Sequence, residues 1–146
     1  MTESQSSKPV RTYKMFPEHK FAVVYFAPGD LHVEDALEVN KQYKNDEFYS
    51  HIHYLVLVFS GCNPIFKEAD LEFISEQYSY NPQTNNHKRS VFIVDQPKST
   101  AFAHLIMANT PEDSTYCTTL EQAYDFLRPK ELSFSDFLAK IQELID

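Results

Sequence analysis

Hydrophobic positions along the chain change their spacing several times, and each change marks a predicted element of secondary structure. Residues 12–16 alternate weakly between apolar and polar side chains, and residues 21–26 form an apolar run after a short polar turn, a pattern typical of a β-hairpin. Residues 54–59 and 90–94 are almost entirely apolar, which predicts strands that are buried on both faces. Residues 114–117 predict one more short strand.

Between and after these strands, apolar residues recur at three- and four-residue spacings, which predicts amphipathic helices. The predicted helices cover residues 33–44, 66–80, 101–109, 120–127 and 133–145. Ser99 or Thr100 is expected to cap the third helix, because a hydroxyl oxygen can accept a hydrogen bond from a free N–H of the first turn. Thr118 and Glu121 have the spacing of a capping box at the start of the fourth helix, which Pro129 ends.

The predicted order is ββαβαβαβα with an extra C-terminal helix. Strands that alternate with single helices favour parallel crossovers, so the sequence predicts an α/β fold with a mixed, mostly parallel five-stranded sheet that begins with a β-hairpin. The length of 146 residues fits one domain. We expect that domain to cover residues 12–146, including the helix 133–145, behind a flexible tail of residues 1–11.

Glycine is scarce, since the chain has only Gly29 and Gly61 where about ten glycines would be ordinary. A G-x-G-x-x-G dinucleotide loop, a G-x-x-x-x-G-K phosphate loop and a G-x-S-x-G nucleophile elbow are therefore impossible. Both glycines follow a predicted strand, where a positive φ or a close approach of two backbones is most often needed.

Charge and apolar content narrow the possible partners. The net charge of −8 repels nucleic acid and anionic membrane surfaces, and no basic stripe offsets it. The longest apolar run, residues 54–59, is far shorter than a membrane span, and the N-terminus has no apolar segment typical of a secretory signal. Two cysteines make no disulfide framework. We expect a cytoplasmic chain with no cofactor and no nucleic-acid or membrane partner, for which a protein partner or a homodimer is possible.

Four segments in this order resemble the STAS-like domains (sulfate transporter and anti-sigma-factor antagonist), particularly the compact bacterial stand-alone type. They are residues 29–37 (GDLHVEDAL), 57–61 (LVFSG), 88–94 (KRSVFIV) and 117–127 (CTTLEQAYDFL). The resemblance covers residues 12–127 and leaves the C-terminal helix as an addition. It implies the anti-sigma-factor-antagonist fold and a small regulatory or binding module.

One departure from that family changes the functional expectation. The antagonists carry a phosphorylated Ser or Thr at the start of the helix after the central strand, in a setting similar to Asp-Ser-Ser-Gly. Here that stretch is residues 65–69 (IFKEA), which holds neither a hydroxyl nor a glycine, and Ser60 lies too early to match. The phospho-switch is therefore not carried over to this chain.

Candidate ligand-binding residues follow the predicted strands. They are Gly29, Asp30, Ser60, Gly61 and Asp95. Because the carboxyl ends of parallel strands meet at one edge of the sheet, these residues could form a binding site there. The alternative is that they are ordinary loop and cap residues, which these residue types also favour.

Cysteine and histidine offer weaker candidates. Cys62 lacks the arginine of a Cys-x5-Arg phosphatase loop, and Pro64 removes one backbone donor, so a buried structural thiol is expected. Cys117 is expected in the core. His51 and His53 could form a metal pair on one face of an extended segment, although no third ligand is local, and a solvated entry to the strand is the alternative. No metal site is therefore assigned.

The C-terminal helix carries a clean apolar stripe that must be buried somewhere. Phe134, Phe137, Leu138 and Ile141 form a candidate interaction surface for a partner or a second copy. Packing against the chain's own sheet is the alternative.

The leading hypothesis for function is a non-enzymatic cytoplasmic interaction or regulatory module of STAS-like type without the phospho-acceptor serine. The alternative is a binder of a small ligand, such as a lipid, nucleotide or organic acid, that uses the strand-to-helix loops. An enzyme is the third hypothesis, and no catalytic residue is assigned because no nucleophile with a neighbouring base is recognisable.

Overall fold

A computed structural model describes residues 11–67, 69–70, 72, 89–108, 113–129 and 132–145. Within these residues the strands are β1 (Arg11–Phe16), β2 (Phe21–Phe26), β3 (Gly29–His32), β4 (Tyr54–Val58), β5 (Cys62–Ile65), β6 (Arg89–Ile93) and β7 (Asp113–Cys117). The helices are α1 (Val33–Lys44), α2 (Pro97–Met107), α3 (Leu120–Leu127) and α4 (Phe134–Ile145). Most of the predicted helix 66–80 lies outside the described residues, as does the predicted tail except Arg11, which begins β1.

The main sheet has five strands in the order β1-β2-β4-β6-β7. β1 pairs with β2 antiparallel, and every other neighbouring pair is parallel. This confirms the predicted mixed, mostly parallel sheet with an N-terminal hairpin. The hairpin turn is a 3₁₀ helix, Pro17–His19, closed by Lys20 in the left-handed conformation (φ 55°).

Two of the predicted loops contain short strands. β3 and β5 form a separate two-stranded parallel sheet, in which Leu31 lies opposite Pro64. Four residues are too few to show an alternating pattern, and a proline counts against a strand in any sequence-based assignment. The pairing ties together the loops that follow β2 and β4, so the carboxyl edge of the main sheet is built from hydrogen-bonded backbone.

Each face of the main sheet is covered by two described helices. One apolar cluster contains side chains of α1 and α2 with alternate sheet residues such as Phe26, Leu57 and Phe92. The other contains side chains of α3 and α4 with the intervening sheet residues such as Phe21 and Val56. Successive residues of a strand point to opposite faces, so continuous apolar runs are required to fill both clusters. No helix in the described part of the chain is long and apolar enough to cross a bilayer.

Both predicted helix caps are wrong in detail. α2 begins at Pro97, and the hydroxyls of Ser99 and Thr100 lie within its first turn, where they donate hydrogen bonds to the carbonyl of Gln96 at 3.0 and 2.9 Å. A proline at the first helical position needs no N–H partner, so the helix begins earlier than the hydroxyl residues indicate.

The capping box of α3 lies one residue later than predicted. The Thr119 hydroxyl accepts from the Gln122 N–H at 3.2 Å, and the Gln122 side chain accepts from the Thr119 N–H at 3.3 Å. The sequence Thr-Thr-Leu-Glu-Gln at residues 118–122 allows either register, and the extended backbone of Thr119 (φ −128°, ψ 155°) identifies the residue that caps the helix.

The C-terminal helix α4 packs on the chain's own sheet. Phe137 and Ile141 are completely buried, and the Phe137 ring lies 5.3 Å from that of Phe21 and 5.2 Å from that of Tyr124. The Lys14 ammonium lies 2.8 Å from the Glu143 carboxylate, a contact at the surface that adds little stability. The apolar stripe of α4 therefore completes the core against β1, β2 and α3.

Candidate functional site

The two glycines shape the carboxyl edge of the sheet. Gly29 has φ +126° and Gly61 has φ +75°, and the Gly29 N–H donates to the Gly61 carbonyl at 3.1 Å. A Cβ atom at position 61 would lie 2.9 Å from the Cβ of Pro28, which is closer than two non-bonded carbon atoms normally approach. Both positions therefore need glycine for its conformation, and position 61 also needs the space.

The aspartates at this edge are engaged with the loops. The Gly61 N–H donates to Oδ1 of Asp95 at 2.7 Å, and the Asn63 amide donates to Oδ1 of Asp30 at 3.1 Å. Charge-assisted bonds of this length hold loops firmly. Gly29, Gly61 and Asp95 thus lie together at the edge that the sequence predicts, where they hydrogen-bond to one another, and Asp30 is bonded to Asn63.

Cys62 is a buried thiol at the same edge. Its Sγ lies 3.3 Å from the carbonyl oxygens of Phe26 and Ala27, to which the thiol can donate. Burial, and secondarily the nearby charge of Asp95, raises its pKa to about 12. The sulfur is therefore protonated at neutral pH, which deprives it of the nucleophilic form.

We expect Cys62 to be inert to thiol reagents in the folded protein. In a Cys117→Ser variant, where Cys62 is the remaining cysteine, labelling by dithionitrobenzoate at pH 8 should be at least 100-fold slower than in urea. The reason is that the raised pKa keeps nearly all of the thiol protonated at this pH, and the sulfur is covered. Labelling of the folded chain at the rate of a free thiol would contradict this assignment.

The same pKa has a consequence at alkaline pH. The folded chain holds the Cys62 proton more tightly than the unfolded chain, so the stability that this group contributes is complete below pH 9 and is lost as the pH rises towards 12. A Cys62→Ala variant, compared with the parent across this range by urea unfolding, should lose stability less steeply.

A cleft opens on the α3 and α4 face of the sheet, directly at the carboxyl edge. Its floor is a row of side chains, one from each of three parallel strands: Tyr25, Val58 and Ile93. Tyr25 pairs with Val58 and Val58 with Ile93 in the strand register, so the three lie side by side. With neighbouring strands about 4.8 Å apart, the floor is about 10 Å wide.

The walls of this cleft come from the two helices. Leu120 and Thr118 stand at the start of α3, Ile145 stands at the end of α4, and Pro28 and Ser60 form the rim. The cleft encloses about 250 Å³. We call it the edge cleft, and the floor, walls and rim named here define it.

The edge cleft contains one of the predicted ligand-binding residues, Ser60. Sequence reasoning missed its floor and walls because apolar strand and helix positions look like core. A usable signal was present in the strand pattern. Tyr25, Val58 and Ile93 are each the last residue of their strand whose side chain points to the α3 and α4 face of the sheet. Tyr25 also places a hydroxyl where the neighbouring strands have aliphatic side chains.

Neither Cys117 nor any of the described histidines is among the residues that line the edge cleft. His51 belongs to a 3₁₀ helix, Tyr49–His51, so the predicted extended pair with His53 does not form. His104 is exposed and packs edge-on against Tyr116, with ring centroids 4.7 Å apart. Cys117 is half-buried, and its thiol donates to the Thr119 carbonyl at 3.4 Å. No group of three or more metal-ligating side chains occurs among the described residues.

The four residues of the candidate interaction surface on α4 differ in how deeply they are buried. Phe137 and Ile141 are buried against the sheet, so a partner cannot contact them without displacing the helix. Phe134 and Leu138 are half-buried. Ile145, with 40% of its surface exposed, is the residue of this helix that lines the edge cleft.

The sequence matches no protein-family model and no curated protein. Among solved structures, a similar fold occurs in an uncharacterised protein of the DUF3478 family from Shewanella loihica PV-4, described as having a SpoIIAA-like fold. The two chains share 12% sequence identity with a TM-score of 0.49, over 82% of this chain and 93% of that chain. A backbone similarity at this level implies no shared ligand, partner or activity.

Proposed function

We propose that this chain is a non-enzymatic regulatory or interaction module that acts by binding at the carboxyl edge of its sheet. The observation that carries the proposal is the edge cleft, a concave site that the fold builds from three strands and two helices. Ligand sites of α/β sheets favour this edge. We further propose a cytoplasmic location and a protein partner, or a second copy of the chain, that contacts the exposed rim.

Support for binding without chemistry comes from the state of the reactive groups nearby. The Cys62 thiol is protonated and donates to backbone carbonyls, and the carboxylates of Asp30 and Asp95 accept hydrogen bonds from the loops. Ser60 lines the edge cleft, and the other described residues of the lining include neither a histidine nor a carboxylate that could act as its base. The lining is suited to recognition by shape and by hydroxyl groups.

A second candidate function is the binding of a small ligand. It is favoured by the volume of the edge cleft, which is too small for a helix or a strand of a partner but large enough for a small molecule. Under the first candidate, a partner would cover the rim and insert at most a side chain.

A photo-crosslinking experiment tests the proposal. Benzoylphenylalanine is introduced at Thr118, in the wall of the edge cleft, or at Asp125, an exposed residue two turns further along α3, as the matched control. Each purified variant is irradiated in a lysate of its native cells and weighed intact by mass spectrometry.

We expect one discrete adduct at position 118 that is absent at position 125. An adduct with the mass of a protein supports the interaction module, and an adduct of a few hundred daltons supports the small-ligand binder. Equal labelling at the two positions, or labelling at neither, contradicts a binding site at this edge.

A further inference from the structure

The lining of the edge cleft has a defined chemical character. Most of the residues that line it are apolar, among them Val58, Ile93 and Leu120. The polar side chains among the lining residues all carry hydroxyls, and they belong to Tyr25, Ser60 and Thr118. A hydroxyl can both donate and accept a hydrogen bond, so this set favours neither a donor nor an acceptor on the ligand.

The described residues that line the edge cleft carry no charge, since none of them is acidic or basic. Asp95, the carboxylate nearest in sequence to Ile93, is engaged with the Gly61 N–H at 2.7 Å. A charged ligand would have to give up part of its hydration without gaining an opposite charge, which is unfavourable. An uncharged molecule incurs no such cost.

The volume sets the size of the occupant. The edge cleft has a volume of about 250 Å³, below the usual range of about 300–1,000 Å³ for pockets that hold drug-sized ligands. The molecule that fits is therefore small.

We propose that the edge cleft binds a short uncharged amphipathic molecule, with an aliphatic or ring body that contacts Val58, Ile93 and Leu120. Its hydroxyl, carbonyl or amide group hydrogen-bonds to the hydroxyls of Tyr25 and Ser60. The inference rests on the second candidate function above. Of the lipid, nucleotide and organic acid that the sequence leaves open, it selects an uncharged, lipid-like molecule. Nucleotides are too large and too charged, and organic acids bring a carboxylate that the lining does not neutralise.

Titration of the full chain with three probes of equal chain length tests this inference. Octan-1-ol, octanoate and octylammonium differ in charge and share an eight-carbon chain, and amide chemical shifts in ¹⁵N-labelled protein locate the site. We expect saturable shifts for octan-1-ol at Tyr25, Ser60 and Leu120, with both charged probes at least tenfold weaker. The absence of saturable shifts, shifts centred elsewhere, or equal affinity for a charged probe would overturn the proposal.

Variants separate the edge cleft from nonspecific apolar binding. Leu120→Trp fills the wall and should weaken octan-1-ol at least tenfold, while Asp125→Trp on the exposed side of the same helix should leave its affinity unchanged. If Leu120→Trp does not fold, Ser60→Phe fills the cleft from the rim and carries the same expectation. Unchanged affinity in a folded filling variant overturns the site.

Hydroxyl deletions test the polar contacts. Tyr25→Phe and Ser60→Ala should each weaken octan-1-ol about three- to tenfold, the usual range for one hydrogen bond. Affinities unchanged by both deletions would overturn the polar part of the proposal. The proposed function is tested separately, because a protein adduct at Thr118 would sustain the interaction module even if all three probes failed to bind.

Discussion

Replacing Phe137 by alanine is expected to lower the free energy of unfolding by about 3–5 kcal/mol, the cost typical of deleting a buried aromatic ring. The ring is completely buried between the sheet and α3, against Phe21 and Tyr124. Urea unfolding followed by circular dichroism measures the loss. Because small domains are stable by about 5–15 kcal/mol, such a loss is a large share of the total.

Two controls on the same helix make this result specific. Phe134→Ala removes a half-buried ring that lies 5.3 Å from Tyr124 and should cost clearly less, about 1–2 kcal/mol. Gln142→Ala, at an exposed position, should change stability by less than about 0.5 kcal/mol. A Phe137→Ala loss as small as that of Gln142→Ala would mean that α4 does not pack on the sheet in solution.

Gly61→Ala is the second large effect, with an expected loss of about 2–3 kcal/mol. A left-handed conformation costs a non-glycine residue about 1–2 kcal/mol, and the new Cβ would meet the Cβ of Pro28 at 2.9 Å. The loss is measured as the shift of the urea midpoint at constant slope.

A double-mutant cycle separates the two causes. Pro28→Gly removes the Cβ that obstructs position 61, so the double variant should be less destabilised than the sum of the single variants. Strict additivity would show that the close approach of Pro28 is absent in solution and that the backbone conformation alone requires glycine.

Elements with strong apolar patterns were predictable from the sequence. The helix over residues 33–44 and the strand over residues 21–26 agree with the structure residue for residue. For the helix, the hydrophobic spacing and the charges at its two ends indicate the same boundaries. For the strand, the apolar run and the turn residues on either side do. The mixed, mostly parallel character of the sheet was also predictable, because strands that alternate with single helices favour parallel crossovers.

Predictions from local chemistry failed where neighbouring residues could exchange roles. Thr118 and Thr119 can each cap a helix, and the tertiary position of α3 decides between them. The pairing of β3 with β5 depends on contacts about 33 residues apart along the chain, which no local pattern contains.

The position of the candidate site at the sheet edge was predictable from the sequence, but most of the residues that line it were not. The ends of the strands identify the carboxyl edge, and the residues there, Asp30 and Asp95, proved to bind the loops. The edge cleft itself depends on where the end of α4 lies relative to the start of α3. That placement follows from the burial of Phe137 and Ile141, which fixes the helix on the sheet.

Crosslinking with the edge cleft open or filled tests most directly whether this protein binds its ligand or partner there. Benzoylphenylalanine at Thr118 is placed in the parent chain and in the Leu120→Trp chain, and both are irradiated in the same native lysate. We predict a discrete adduct in the parent that falls at least tenfold in the filled variant. An adduct of equal yield in the two folded chains would show that whatever binds this protein does so outside the edge cleft.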